Sequence, residues 1–171
     1  MLASLCGRNW RLKLRNVRDE EFAYIAQVTT LKSLCLHASK LVEMSDLVQL
    51  MNLHDLTIAH ASKFSDASLQ TICRLPRLEE LTLVECGDYT ISQECVFHHF
   101  VPFVSNLKHL NLECCRWVTD DVLARFSSQK LETLSDMDRI HHWSLPSASL
   151  PPSFAKVELV TVHGADRSGI H

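Results

Sequence analysis

Leu107, Leu110 and Leu112 form the pattern LxxLxL, and the pattern returns along the chain. It recurs at Leu78, Leu81 and Leu83, at Leu53, Leu56 and Ile58, and at Leu31, Leu34 and Leu36. Leu131 and Leu134 begin a further copy whose third slot holds Asp136. Asn9, Leu12 and Leu14 give a weaker copy at the front, and Val157, Val160 and Val162 a degenerate one near the end. First positions fall at 9, 31, 53, 78, 107, 131 and 157, in steps of 22, 22, 25, 29, 24 and 26 residues. A single LxxLxL arises easily by chance in a leucine-rich chain. Four full copies at such even steps do not, and a repeat of this length restricts the fold more than any bulk property.

Each half of the repeat has its own physics. The last two leucines of LxxLxL stand two residues apart, so they share one face of a short strand while their neighbours point the other way. Apolar residues at three-residue steps then lead into the next strand: Phe22, Ile25, Val28 and Leu31; Met44, Leu47, Leu50 and Leu53; Leu69, Ile72, Leu75 and Leu78. That spacing marks the buried side of a helix or 3₁₀ segment. Asp19-Glu20-Glu21, Ser65-Asp66 and Thr119-Asp120-Asp121 signal helix starts, supplying N-cap oxygens and negative charge to unpaired N–H groups. The period is that of leucine-rich repeats. The expected fold is therefore an α/β leucine-rich-repeat solenoid, curved, with a parallel sheet on its concave face and helices or 3₁₀ segments on its convex face. The array is expected over residues 1–136, a Pro/Ser linker region over 137–156 ("SLPSASLPPS" at its heart), and a degenerate last repeat and tail over 157–171.

Composition excludes several classes. Seventeen basic and 20 acidic residues give a formal charge of −3, which offers no field for nucleic acid or an anionic membrane. Only 4 glycines are present and none form a phosphate-cradling motif. No apolar run reaches the ~18 residues of a membrane span, and "MLASLCGRNW" lacks the charged start of a signal peptide. Seven cysteines at uneven spacing do not make a secreted disulfide framework, so a reducing compartment, cytoplasmic or nuclear, is expected.

Cys86 and Cys115 both fall at position nine of their repeats, where the chain leaves the strand; Ala61 and Ser39 fill the same slot elsewhere. A small side chain with a weak S–H donor suits such a turn. Cys114, one place earlier and beside Arg116, raises the alternative of a redox-sensitive pair. The adjacent pairs His98-His99 and His141-His142 diverge, and no CxxC occurs, so no metal site, cofactor or catalytic residue is expected.

One copy reads in full as Leu107, Leu110, Leu112, Cys115, Val118-Thr119-Asp120 and Leu123. It resembles the cysteine-containing leucine-rich repeat of the F-box ubiquitin-ligase substrate receptors. The copy from Leu53 is similar through Phe64-Ser65-Asp66 and Leu69, with Ala61 for the cysteine; the copy from Leu78 keeps Cys86 and Tyr89-Thr90 but has Ile91 for the aspartate. The resemblance covers roughly residues 9–136 and implies a curved surface that captures a partner protein for ubiquitination. An F-box precedes the repeats in that family, whereas the first repeat here begins by Asn9. Binding to a Skp-type adaptor and cullin is thus expected only of a longer, F-box-containing form. The alternative is a free-standing repeat scaffold. No enzyme activity is expected, and the chain is expected to act as a monomer.

A partner would meet the side chains at positions two, three, five and seven, which face the concave surface or its rim. The candidates are Trp10, Arg11, Lys13, Lys32, His54, Asp55, Glu79, Glu80, Lys108, His109, Asn111 and Glu132. They run from basic to acidic to mixed, which fits a partner acidic near the first strands and basic near Glu79-Glu80. Trp10 is the expected aromatic anchor, and His37, His54 and His109 offer a pH-sensitive contact.

Overall fold

A computed structural model describes residues 11–38, 40–87, 90–126 and 130–135, together with the backbone of 158–159. Its spine is a parallel sheet in strict sequence order, β1-β2-β3-β4-β5-β6-β7, open at both ends. The strands are β1 (Arg11–Arg15), β2 (Ser33–His37), β3 (Asp55–Ala59), β4 (Glu80–Val84), β5 (His109–Glu113), β6 (Thr133–Ser135) and β7 (Glu158–Leu159). Every LxxLxL copy in the described residues therefore contributes one strand, beginning at its third position.

Register follows the leucines. Leu34, Leu56, Leu81, Leu110 and Leu134 sit opposite one another in turn, and Leu36, Ile58, Leu83 and Leu112 form a second row. All nine are buried. Each such side chain contributes about 1.5–3 kcal/mol when removed from water. Slipping any strand by one residue would turn its row to solvent, so the apolar pattern pins the pairing. At the far end the described pair places Leu159, not Val160, opposite Leu134. Val157, Val160 and Val162, Asp136 and the region 137–156 lie outside the described residues.

Helical segments connect the strands: α1 (Asp19–Ala26), a 3₁₀ turn (Ser45–Gln49), α2 (Asp66–Cys73), α3 (Gln93–Cys95), α4 (Val101–Val104) and α5 (Asp120–Leu123). The three-residue rhythm is fully buried through the 3₁₀ turn (Met44, Leu47, Leu50 and Leu53) and from α2 onward (Leu69, Ile72, Leu75 and Leu78). In α1 the pitch is that of an α-helix, so Phe22 and Ala26 take the core and Ile25 and Val28 are only partly buried. The helical side chains and the strand leucines share one hydrophobic core.

The long connection between β4 and β5 joins that core as well. Phe100, Phe103 and Val104 are buried, with Phe97 and Val101 packed against them. A π-helical turn over Val96–Phe100 lies between α3 and α4. Pro102 follows it; having no N–H, it cannot close an α-helical bond onto His98, and the wider turn accommodates that loss. Phe100 meets Trp117 edge-on at 5.2 Å and Phe126 at 6.0 Å.

A left-handed residue ends four of the strands: Asn16, His60, Glu85 and Cys114 have φ between 51° and 56°. All stand at position eight. This geometry turns the chain off the sheet, and the N–H of His60 still reaches Val84 O at 2.8 Å on the neighbouring strand. At position nine the Cys86 thiol donates toward Ile58 O (3.4 Å) and Val84 O (3.3 Å), and Cys115 toward Leu83 O (3.5 Å) and Glu113 O (3.6 Å). Both cysteines are buried, as is Ala61 in the same slot. Ser39 is outside the described residues.

The helices start where the sequence signals them, at Asp19, Asp66 and Asp120, with acidic first turns and with Ser65 and Thr119 as N-caps. Thr119 caps α5 through Val122 N, but the Asp19 carboxylate accepts from the N–H groups of Val42 and Glu43, one repeat onward. Asp66 likewise accepts from Ser92 N at 2.8 Å and Ser92 Oγ at 2.6 Å. These aspartates tie one repeat to the next.

Candidate functional site: the open face of the sheet

Because the strand leucines all point inward, alternate residues project from the opposite face in register. Three columns result. The first runs Arg11, Ser33, Asp55, Glu80, His109, Thr133; the second Lys13, Cys35, Thr57, Thr82, Asn111, Ser135; the third Arg15, His37, Ala59, Val84, Glu113. All are exposed or half-buried except Ala59 and Ser135. Strands β1 to β5 extend through position seven, so that column belongs to the face. Position two lies just before each strand, at the rim, carrying Lys32, His54, Glu79, Lys108 and Glu132.

The candidate residues gather at two places. At the β1 side, Arg11 Nη2 lies 3.3 Å from Asp55 Oδ2, which also accepts from Ser33 Oγ at 2.7 Å. The arginine is 77% exposed, so this pair contributes at most about 1 kcal/mol. Lys13 and Lys32 are exposed on the face and rim. His54 turns to its own backbone, its Nδ1 at 2.7 Å from Asn52 O. Trp10 lies outside the described residues.

At the β4–β6 side the remaining candidates converge. Lys108 Nζ donates to Glu79 Oε2 at 2.7 Å; that bond holds the Glu79 carboxyl below its ordinary range and the Lys108 ammonium above its own. His109 Nδ1 is 2.8 Å from Thr133 Oγ1, and its Nε2 is 4.0 Å from Glu132. Glu80, His109, Asn111, Thr82, Thr133 and Ser135 line a recess of about 230 Å³. Asn111 Oδ1 and Ser135 Oγ are shielded from water and have no hydrogen-bond partner among the described residues. Leaving such an atom unpaired costs about 1–3 kcal/mol, so native chains rarely do it without a reason. The periodicity placed both residues on the outer side of the sheet; no sequence signal shows that their polar atoms lack partners.

A second recess, about 390 Å³, lies on the helical side among Asp66, Gln70, Ser92, Cys95, His98 and His99. Its Asp66 and Ser92 are bonded to each other, and Cys95 contacts Gln70 and Asp66 O. Burial pushes the Cys95 thiol up and carries Cys73 to about 12, which makes both poor nucleophiles. Among the described residues no group of three His, Cys, Asp or Glu could hold a metal ion, and no helix is long and apolar enough to cross a membrane. His141 and His142 lie outside the described residues.

Compared with known proteins, the chain matches no family model and no curated protein.

Proposed function

We propose that the chain is a protein-recognition module: a leucine-rich-repeat solenoid whose sheet curves into a concave face that holds a partner protein, in the manner of the F-box substrate receptors. One observation carries this reading. The sheet is apolar and buried on one side, and on the other it presents three in-register columns of polar and charged side chains. The columns run from Arg11, Lys13 and Arg15 on β1 to Glu80 and Glu113 on β4 and β5. Such a gradient orients a partner of opposite polarity and speeds its encounter. The partner is a protein, with no cofactor, nucleic acid or membrane involved, and the module acts as a monomer without catalytic chemistry. Thiols used as hydrogen-bond donors at Cys86 and Cys115 favour a reducing compartment, cytoplasmic or nuclear.

The ubiquitin-ligase role rests on Val118-Thr119-Asp120 and the cysteine frame. The same face serves the alternative equally well, a scaffold that organises an assembly without ubiquitin chemistry. Cross-linking and capture from cell extract tests the shared part. Lys13→Glu and Glu80→Lys should each reduce captured partner about tenfold, while Tyr24→Ala and Val48→Ala, at exposed helical-side positions, should not. Equal capture by all four variants would refute the open face as the binding surface. Co-purification of adaptor and cullin with a longer, F-box-containing form supports the ligase; retention of the partner without them supports the scaffold.

A further inference from the structure

We propose that the recess on β4–β6 is a socket for a single arginine side chain of the partner. This rests on reading the open face as a protein-binding surface, and it names the chemistry of one contact on that surface.

The two unpaired atoms set the requirement. Asn111 and Ser135 are directly opposite each other on β5 and β6, in the second column. Ser135 is only 7% exposed, and its hydroxyl and the Asn111 carbonyl oxygen both lack partners among the described residues. A carbonyl oxygen can only accept, so whatever completes it must bring an N–H or O–H. The neighbouring groups narrow the choice. His109 Nδ1 and Thr133 Oγ1 already satisfy each other, which leaves the Glu80 carboxylate as the charged wall of the recess. Lys108, the cation on the adjacent rim, is held by Glu79 at 2.7 Å. Glu132, on the rim just before β6, and Glu113, at the end of β5, add negative charge. The occupant is therefore a cation with several donors.

Size and shape favour arginine over other cations. About 230 Å³ is smaller than the usual pocket for a cofactor or drug-sized ligand and suits one long side chain. A guanidinium carries five N–H donors in a rigid plane, so it can serve an amide oxygen, a hydroxyl and a carboxylate at once. A lysine ammonium is a compact, strongly hydrated charge that must shed more water for three donors. Charge on the β1 side extends the argument to the chain around that arginine. Residues of the partner lying over Lys13 and Arg15 should be acidic, so the arginine sits at the basic end of a polarised segment.

The test uses the ¹⁵N-labelled 171-residue chain and blocked amino acids as probes. Nα-acetyl-arginine amide should shift the amides of Glu80–Thr82, His109–Asn111 and Thr133–Ser135, half-saturating at about millimolar concentration, the range for one side chain. The citrulline analogue has the same shape without the charge and should bind at least about tenfold more weakly. Glu80→Gln removes one charge at an exposed position, leaves the spectrum otherwise folded, and should weaken arginine about fivefold without changing citrulline. Absence of shifts on β4–β6, shifts confined to Arg11–Arg15, or equal binding of arginine and citrulline would overturn the proposal. If the probe fails while Lys13→Glu and Glu80→Lys still release captured partner, the socket is wrong and the open-face reading stands. If those variants also leave capture unchanged, the broader reading falls.

Discussion

A position-nine cysteine is held by its surroundings rather than by its reactivity. Cys86 and Cys115 sit buried just past the end of a strand, with two backbone oxygens within reach of each thiol. In the native state they should react with a thiol reagent at least about a hundredfold more slowly than in denaturant, because access requires local opening. Reaction at the denatured rate would show that they are not buried turn residues. Gly87, just after Cys86, is as constrained: its φ is +70°, and a Cβ there would lie 2.7 Å from Ile91 Cγ1. At the end of β2, burial lowers the His37 pKa below 6.5, and Arg15, Lys13 and His60 lower it further. The unfolded chain then binds more protons than the folded one between the folded value and 6.5. Stability is unaffected by this group above 6.5 and falls as pH drops through that window. A proton NMR titration should find the His37 midpoint below 6.5, and Arg15→Ala should raise it. The opposite displacement in Arg15→Ala would remove the electrostatic part of this account.

Individual elements are joined by contacts that local sequence does not display. Asp19 and Asp66 resemble capping residues because they open helices, yet their carboxylates bond to Val42 and Glu43 and to Ser92, in the following repeat. Asp66→Ala should cost about 1–2 kcal/mol, since it removes two charge-assisted bonds at a partly buried site. Asp46 accepts from Gln49 within its own 3₁₀ turn and reaches no other repeat among the described residues, so Asp46→Ala should stay within about 0.5 kcal/mol. Thermal melts of the two variants measure the difference, at about 2–4 °C per kcal/mol for a chain of this size. Equal melting would mean that the Asp66–Ser92 contact adds nothing between repeats. This case shows where sequence reading succeeds and stops. The strand leucines were legible because their partners recur at the same offset in every copy. The aspartate bridges were not, because Asp19 reaches 23 and 24 residues onward to backbone N–H groups and Asp66 reaches 26 residues onward to a serine, with no shared partner pattern. The same holds for the open face: alternation placed Asn111 and Glu80 outward, but the lack of a partner for Asn111 Oδ1 depends on side-chain packing across two strands. The π-helical turn before Pro102 was likewise hidden, since the three-residue apolar step continues through it.

Across the whole molecule, each repeat is buried by its neighbours, so stability should vary with position along the sheet. In β1 the inward leucines, Leu12 and Leu14, are only partly buried. Their equivalents in β3 to β5 are at most 1% exposed. A row of leucines covered on both sides loses apolar contact only when the core opens, whereas a terminal row can detach while the rest stays paired. In a sheet assembled from nearest-neighbour contacts, such an end opens at lower free energy than the centre. Exchanging the exposed part of two leucines, about a third of each at most, for full burial amounts to about 0.3–2 kcal/mol. That difference corresponds to about a 2- to 30-fold difference in opening equilibrium. Amides of Leu12 to Arg15 should therefore exchange with deuterium at least about twofold faster than those of Leu56 to Ala59 and Leu81 to Val84. The charge gradient follows the same axis, so the basic end of the open face is also the end that opens most readily. A partner that binds over Lys13 and Arg15 should then slow exchange in β1 more than in β4, because only there does binding restrain a strand that otherwise frays. Uniform exchange from β1 to β5 would mean that the sheet unfolds as one unit, and the partly exposed Leu12 and Leu14 would carry no dynamic consequence.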